Sequence, residues 1–538
     1  MNSIKYILVV VTIMVTQVTV SQNYFEQAST AIDSANYVMA LELAQKQLSL
    51  SPKNGDAYFL VGVVYYETER YDEAIVSMLQ SAKYLNNKSV FSKWKAYVYN
   101  ANSYKMLDQF DKAEYYYNKA IKCNKENSIQ PYLERAIFYY NQQYYQKASA
   151  DYNMVLYYQP TNAEALTYLA NTSIHLGDTT KLPLSLYNLA IKNNPTYSYA
   201  YWFRFGYFMR NVEYTRAIDD AITYMELTGR FDDNLITTPA QYNFSYALAA
   251  VSRQIKQSRT YQINWRAVRI DLYENKEMYE EALVDLESFQ INDSINKVYV
   301  LYRRAQTLQH LGRYKEVIEV TSDLINLSPD SEFYTLRANA YEAIGEKDDA
   351  IEDYKKIIEL EPQYGGFSYF HCGYIEEKRD NLDKAIAYYS KSLSFDMDLS
   401  ISLVRRGMCY FDKKDSIRAQ KDFEMVLKID TVVSDLSSRH YALAMLGRSQ
   451  DAQIWMNKLI DLDHTNAGTI YDAACLYARM GMLEESILYL NKAIDLGYNE
   501  LLHITEDSDL DSIRYLPEYK VVIDQQKQAK LKKIFEKL

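Results

Sequence analysis

Residues 331–362, from Ser331 to Pro362, read SEFYTLRANAYEAIGEKDDAIEDYKKIIELEP. Tyr334, Ala338 and Tyr341 fall four and three residues apart, which places them on one face of a helix. Gly345 breaks that helix. Ala350, Tyr354, Ile357 and Ile358 form the apolar face of a second one. Pro362 ends it, because proline lacks the amide hydrogen that would continue the ladder. A hairpin of two such helices is too small to bury its own apolar face, so it needs neighbours of the same kind.

The chain supplies them. With Ser331 as place 1, Ala350 is place 20, and the same place holds Ala40, Ala74, Ala113, Ala148, Ala217, Ala282, Val317, Ala385, Ala419, Ala452 and Ser486. From Ala282 onward the intervals are 35, 33, 35, 34, 33 and 34. Place 32 holds Pro52, Pro160, Pro329 and Pro362, with Pro195 one place off; that is five of the nine prolines. This pattern resembles the tetratricopeptide repeat, which has about 34 residues per unit, small residues at places 8 and 20, aromatics near 11 and 24, and proline at 32. The resemblance covers most of residues 21–500. It implies an all-α fold, an α-solenoid of about 13 stacked helix-turn-helix units in a right-handed superhelix, with a short C-terminal capping helix. It also implies binding of other proteins and no catalytic chemistry.

Composition agrees. A chain of 538 residues is too long for one ordinary core, whereas a solenoid adds core with each repeat. Glycine (15) and proline (9) are scarce, as helices require, and tyrosine (54) is abundant. A net charge of −11 and the lack of a long basic run argue against a nucleic-acid surface. There is no GxSxG, HExxH, Walker loop or GxGxxG, so no catalytic residue is assigned. The four cysteines form no CxxC and the six histidines are scattered, which argues against zinc; no metal site or cofactor is expected. Cys372 and Cys409 sit in first helices of neighbouring units. Buried free thiols are one reading, and a disulfide in an oxidising compartment is the other.

The N-terminus reads as a secretory signal peptide, residues 1–21: Lys5, an apolar run Tyr6–Val20, and small residues before Gln22. The run is shorter than the roughly 20 residues that span a bilayer, so cleavage is favoured over an anchor. The signal style resembles that of exported envelope proteins of the Bacteroidetes group, which implies a periplasmic or outer-membrane-associated location. Residues 22–231 form an N-terminal array, 232–262 an irregular unit or hinge with a helix at Gln241–Lys256, 263–500 a C-terminal array, and 501–538 a cap and basic tail. Membrane contact is expected only through an uncleaved signal or that tail. In the unit near Glu164, Pro183 stands at place 20 and should distort or restart the second helix.

Two patterns inside the repeats carry weight. Place 7 is arginine in seven units (Arg135, Arg204, Arg269, Arg304, Arg337, Arg406 and Arg439), and five of these have aspartate 16 residues later: Asp151, Asp220, Asp285, Asp353 and Asp422. Repetition along the stack argues for an ion pair that docks the two helices rather than for a single cavity. In the family it resembles, places 2, 5, 9 and 12 face the groove. Fifteen of the 52 such places are aromatic, where the 14% background gives about seven. The excess concentrates at Tyr299, Tyr302, Phe367, Phe370 and Tyr374, the candidate partner-binding residues. A protein or peptide partner is the leading expectation. A carbohydrate-binding envelope protein and a membrane-tethered assembly or regulatory factor are the alternatives.

Overall fold

The computed structural model describes residues 24–289, 294–395, 399–429, 436–498 and 501–537; the expected signal peptide lies outside them. Every regular element among the described residues is a helix. The chain divides into two compact units, Met1–Lys276 and Glu277–Leu538.

The 331–362 stretch folds as its pattern predicts. Asp330 caps the first helix, Ser331–Ile344, its side chain accepting from the Glu332 amide at 2.9 Å. Gly345 takes a left-handed conformation, φ 84°, and the second helix runs Lys347–Leu360. The Glu346 amide donates back to the Tyr341 carbonyl at 2.9 Å, the 6→1 bond that closes a helix through a left-handed residue. The same bond closes the turn at Arg70, Gln109, Tyr144, Asn381 and Met482. The left-handed residue is glycine at 177, 312, 447 and 481, but Ala35, Glu69, Asp108, Gln143, Val212, Glu277, Asp380 and Lys414 elsewhere.

Packing within each hairpin explains why place 8 is small and place 24 large. A Cβ on Gly373 would lie 2.8 Å from the Tyr389 ring, and one on Gly407 would lie 2.7 Å from Phe423. The large residue fills the space the small one leaves, and Tyr117, Tyr152, Tyr187, Tyr354, Tyr389 and Phe423 are all fully buried there.

Both irregular places are resolved by local chemistry. The second helix of the Glu164 unit starts late, at Leu182, with Pro183 in its first turn, where a missing amide hydrogen costs nothing. The segment expected at 232–262 as an irregular unit or hinge holds two helices, Asn234–Ala240 and Phe244–Gln257. The second begins later than Gln241 because the Asn243 side chain caps it. Leu235, Ile236, Ala247 and Val251 join Ile218, Met225 and Trp265 in one core cluster, inside the first unit. The division between compact units falls beyond them, after Lys276.

Arginine–aspartate pairs form as bidentate forks at Arg135–Asp151, Arg204–Asp220, Arg337–Asp353 and Arg406–Asp422, with N···O distances of 2.6–2.8 Å. Each of the four arginines also reaches back to the second helix of the preceding hairpin, at Asn118, Asn188, Ser322 and Ser390 respectively. One guanidinium therefore ties three helices. First helices of successive hairpins touch one another through much of each unit, so their free sides form a surface with side chains from many repeats.

Candidate functional site

In the second unit that surface is built from the first helices Ser294–His310, Ser331–Ile344, Gly365–Glu377, Leu399–Asp412, Leu436–Met445 and Ala467–Arg479. The five candidate residues stand on two of them. Tyr299 is 47% exposed, and its hydroxyl accepts from Arg303 Nη1 at 2.7 Å. Tyr302, one turn on, packs its ring 5.6 Å from Phe333 and accepts from Gln306 Nε2 at 2.9 Å. Phe367 is 40% exposed, with its ring centroid 4.3 Å from that of His371.

Phe370 and Tyr374 are more enclosed than Tyr299 and Phe367. Phe370 packs on the core cluster of Ala385, Tyr389 and Cys409. Tyr374 has two cations near its ring, Lys378 Nζ and the Arg405 guanidinium, each 5.3 Å from the centroid, and burial holds its phenol well above the ordinary value. The ring contacts thus run within two patches. Between them the Ser331–Ile344 helix contributes polar groups: the Tyr354 hydroxyl lies 3.1 Å from Asn339 Oδ1 and 2.5 Å from Glu342 Oε1, and His371 Nδ1 lies 3.4 Å from Glu342.

Downstream of Tyr374 the surface carries a charged cluster that the groove register did not predict. Arg405 stands one place off that register, with Nη1 3.3 Å from Glu377 Oε1. The segment after the last repeat joins this cluster. Asp507 accepts from the Tyr471 hydroxyl at 3.0 Å and lies 3.5 Å from Lys378 Nζ, 129 residues away. Arg479 Nε donates to Asp509 Oδ1 at 2.8 Å. The apolar side chains Ile504, Leu510 and Ile513 are fully buried in the core of the last repeat.

Electrostatics in the cluster is crowded. Burial first, then Asp509 and Asp507, push the Asp472 carboxyl up to about 7, against the pull of Arg405. The Cys475 thiol, Asp507 and Asp509 lie close enough to share a cation, but Lys378, Tyr471 and Arg479 already meet those carboxylates, and burial raises the thiol well above its usual value. All four cysteines are free thiols, and burial lifts Cys372 to about 12, far from the thiolate that disulfide exchange needs. The signal for this cluster in the sequence was the acidic DSDLD of the closing segment, with no local cue to its partners.

Three stretches match the family described as tetratricopeptide repeat: residues 25–89, 331–364 and 467–496. The chain therefore carries tetratricopeptide repeats. It is similar to tetratricopeptide repeat protein 6 of Homo sapiens, 30% identical over 22% of this chain and 22% of that protein. It is also similar to a TPR repeat-containing protein of Methanocaldococcus jannaschii, 22% identical over 46% of this chain and 44% of that protein. Each match spans less than half the length of the curated relative. Among solved structures, the C-terminal part of a TPR repeat-containing protein from Cytophaga hutchinsonii is 15% identical over 48% of this chain and 98% of its own, with a TM-score of 0.35. YrrB, described as a TPR protein with an unusual peptide-binding site, is 20% identical over 33% of this chain and 88% of its own, with a TM-score of 0.27.

Proposed function

We propose that this chain is a non-enzymatic interaction scaffold of the cell envelope, which holds an extended or helical segment of a protein partner on the first-helix surface of its second unit. The observation that carries this reading is the exposure of Tyr299 and Phe367, 47% and 40%, on helices whose other faces are committed to the core. Large rings left in water on a repeated surface provide contact area with few rotatable bonds to freeze, which suits them to binding hot spots. Tyr302 follows Tyr299 by one helical turn, Phe370 and Tyr374 follow Phe367 by one and two, and the polar groups of Asn339, Glu342 and His371 offer hydrogen bonds to a peptide backbone. The envelope location is supported by the signal-like pattern of residues 1–21.

The test is recovery of the partner from native envelope extract by crosslinking to the full chain, compared with a Tyr299→Ala/Phe367→Ala variant. Loss of a specific crosslinked protein with unchanged helical signal supports the reading. Undiminished recovery moves the partner to another surface.

A further inference from the structure

We propose that the cluster around Lys378, Arg405, Tyr471 and Arg479 is a receptor for an acidic segment, filled in cis by Asp507 and Asp509, and opened to a partner segment that carries two aspartates one residue apart among aliphatic residues. This rests on the reading of the first-helix surface as the partner site, and it names the chemistry of the partner's end.

A cap has one requirement, which is to cover the exposed apolar face of the last hairpin. Ile504, Leu510 and Ile513 meet it by packing against Ile470, Cys475 and Leu490. Nothing in that requirement calls for Lys378, which stands at the end of a helix three hairpins upstream. Yet Asp507 lies 3.5 Å from it while accepting from Tyr471 on the last hairpin. Asp507 and Asp509 together use donors from two separated stretches of the surface, and those donors exceed what closing the end demands. Lys378 and Arg405 also flank Tyr374, so the carboxylate site is continuous with the downstream aromatic patch.

Against its burial, Lys378 and the Asp509 amide hold the Asp507 carboxyl below its usual value, yet the same cluster also crowds like charges together. Asp507 and Asp509 add to the burial that raises the Asp472 carboxyl while Arg405 lowers it, and Asp412 feels Arg479 and Asp509 in the same way. Like charges crowded in a buried cluster lower the net gain of seating the segment. The cis segment still has the advantage of its tether, equivalent to an effective concentration on the order of millimolar, so a free segment competes only when the cis contacts are weakened.

The probe is a fluorescent peptide copying residues 503–515, HITEDSDLDSIRY. Its binding is read by anisotropy against the full chain and against an Asp507→Asn/Asp509→Asn variant. The peptide is expected to bind the variant at least about tenfold more tightly than the unchanged chain. It should lose binding when Lys378→Ala is added, and a copy with asparagine at both aspartates should not bind. Equal affinity for both proteins, or no binding to the folded variant, overturns the proposal. Should the variant fail to fold, hydrogen exchange of the unchanged chain decides. Amides of 504–513 that open while Ala467–Arg479 stays protected support an exchangeable occupant, whereas opening only together with that helix makes it a permanent cap and overturns the proposal. Since the peptide comes from this chain, failure here leaves the crosslinking test of the scaffold reading untouched.

Discussion

Arg337 Nη1 donates to Ser322 Oγ at 2.9 Å while the rest of its guanidinium grips Asp353. The first bond joins two repeats and the other two join the arms of one hairpin. Asp353 is nearly buried, and burial holds its carboxyl above the usual carboxylate value despite the arginine. Such a pair orients helices more than it stabilises them, but removing one member strands the other. Arg337→Ala should therefore destabilise the second unit by about 3–5 kcal/mol, and adding Asp353→Asn should restore part of that loss. Ser322→Ala should cost only about 0.5–1.5 kcal/mol. Urea titrations followed by circular dichroism measure all three, and a double variant no better than the single refutes the pairing energetics.

Val212 sits at φ 63°, a conformation that glycine adopts at the equivalent turn in five other hairpins, at Gly177, Gly312, Gly345, Gly447 and Gly481. A β-branched side chain there is strained, and Val212 is largely exposed, so its side chain adds little packing in return. Val212→Gly should stabilise the first unit by about 1 kcal/mol. A fall in melting temperature would show that the side chain has a role the turn geometry hides.

The closing cluster should respond to pH. Asp472 is raised from 3.8 to about 7 in the folded chain, so the folded state binds more protons than the unfolded one between those values. Stability from this group is full below about pH 4 and declines as pH rises towards 7, by at most about 1.4 kcal/mol per pH unit. Asp472→Asn should flatten that slope and raise the melting temperature of the second unit at pH 8. An unchanged slope would assign the effect to another group.

The five aromatic candidates should separate by energy. Tyr299→Ala and Phe367→Ala should each change stability by less than about 1 kcal/mol, as exposed positions do. Phe370→Ala should cost about 3 kcal/mol or more, because it removes a ring packed on Tyr389. Thermal melts of the three single variants decide this, and equal losses would mean that no exposed ring is spare for a partner.

How much of this was legible depended on how local the cause was. The hairpins could be read because helix period and chain breakers act within a few residues, as at Tyr334, Gly345 and Pro362. Arg337 and Asp353 could be paired because the spacing recurs in other repeats. Their third partner could not, since the role passes between asparagine and serine at 118, 188, 322 and 390. Phe370 and Phe367 stand one turn apart, and only the packing of Tyr389 decides which of them faces solvent. The cluster of Arg405 and Asp507 was out of reach, because the closing segment lies outside the repeat register and no recurring spacing names its partners.

The bridge from Asp507 to Lys378 changes what kind of folding unit the end of the chain is. In a plain stack each hairpin touches only its neighbours, so stability adds up link by link and the array can fray from its tip. A contact spanning 129 residues closes a ring across the terminal hairpins, and a ring has no tip. While it is shut, loss of any one of those hairpins weakens all the others it encloses. The last hairpins would then melt as a block, and trimming the chain from its C-terminus would remove cooperativity before it removed helix.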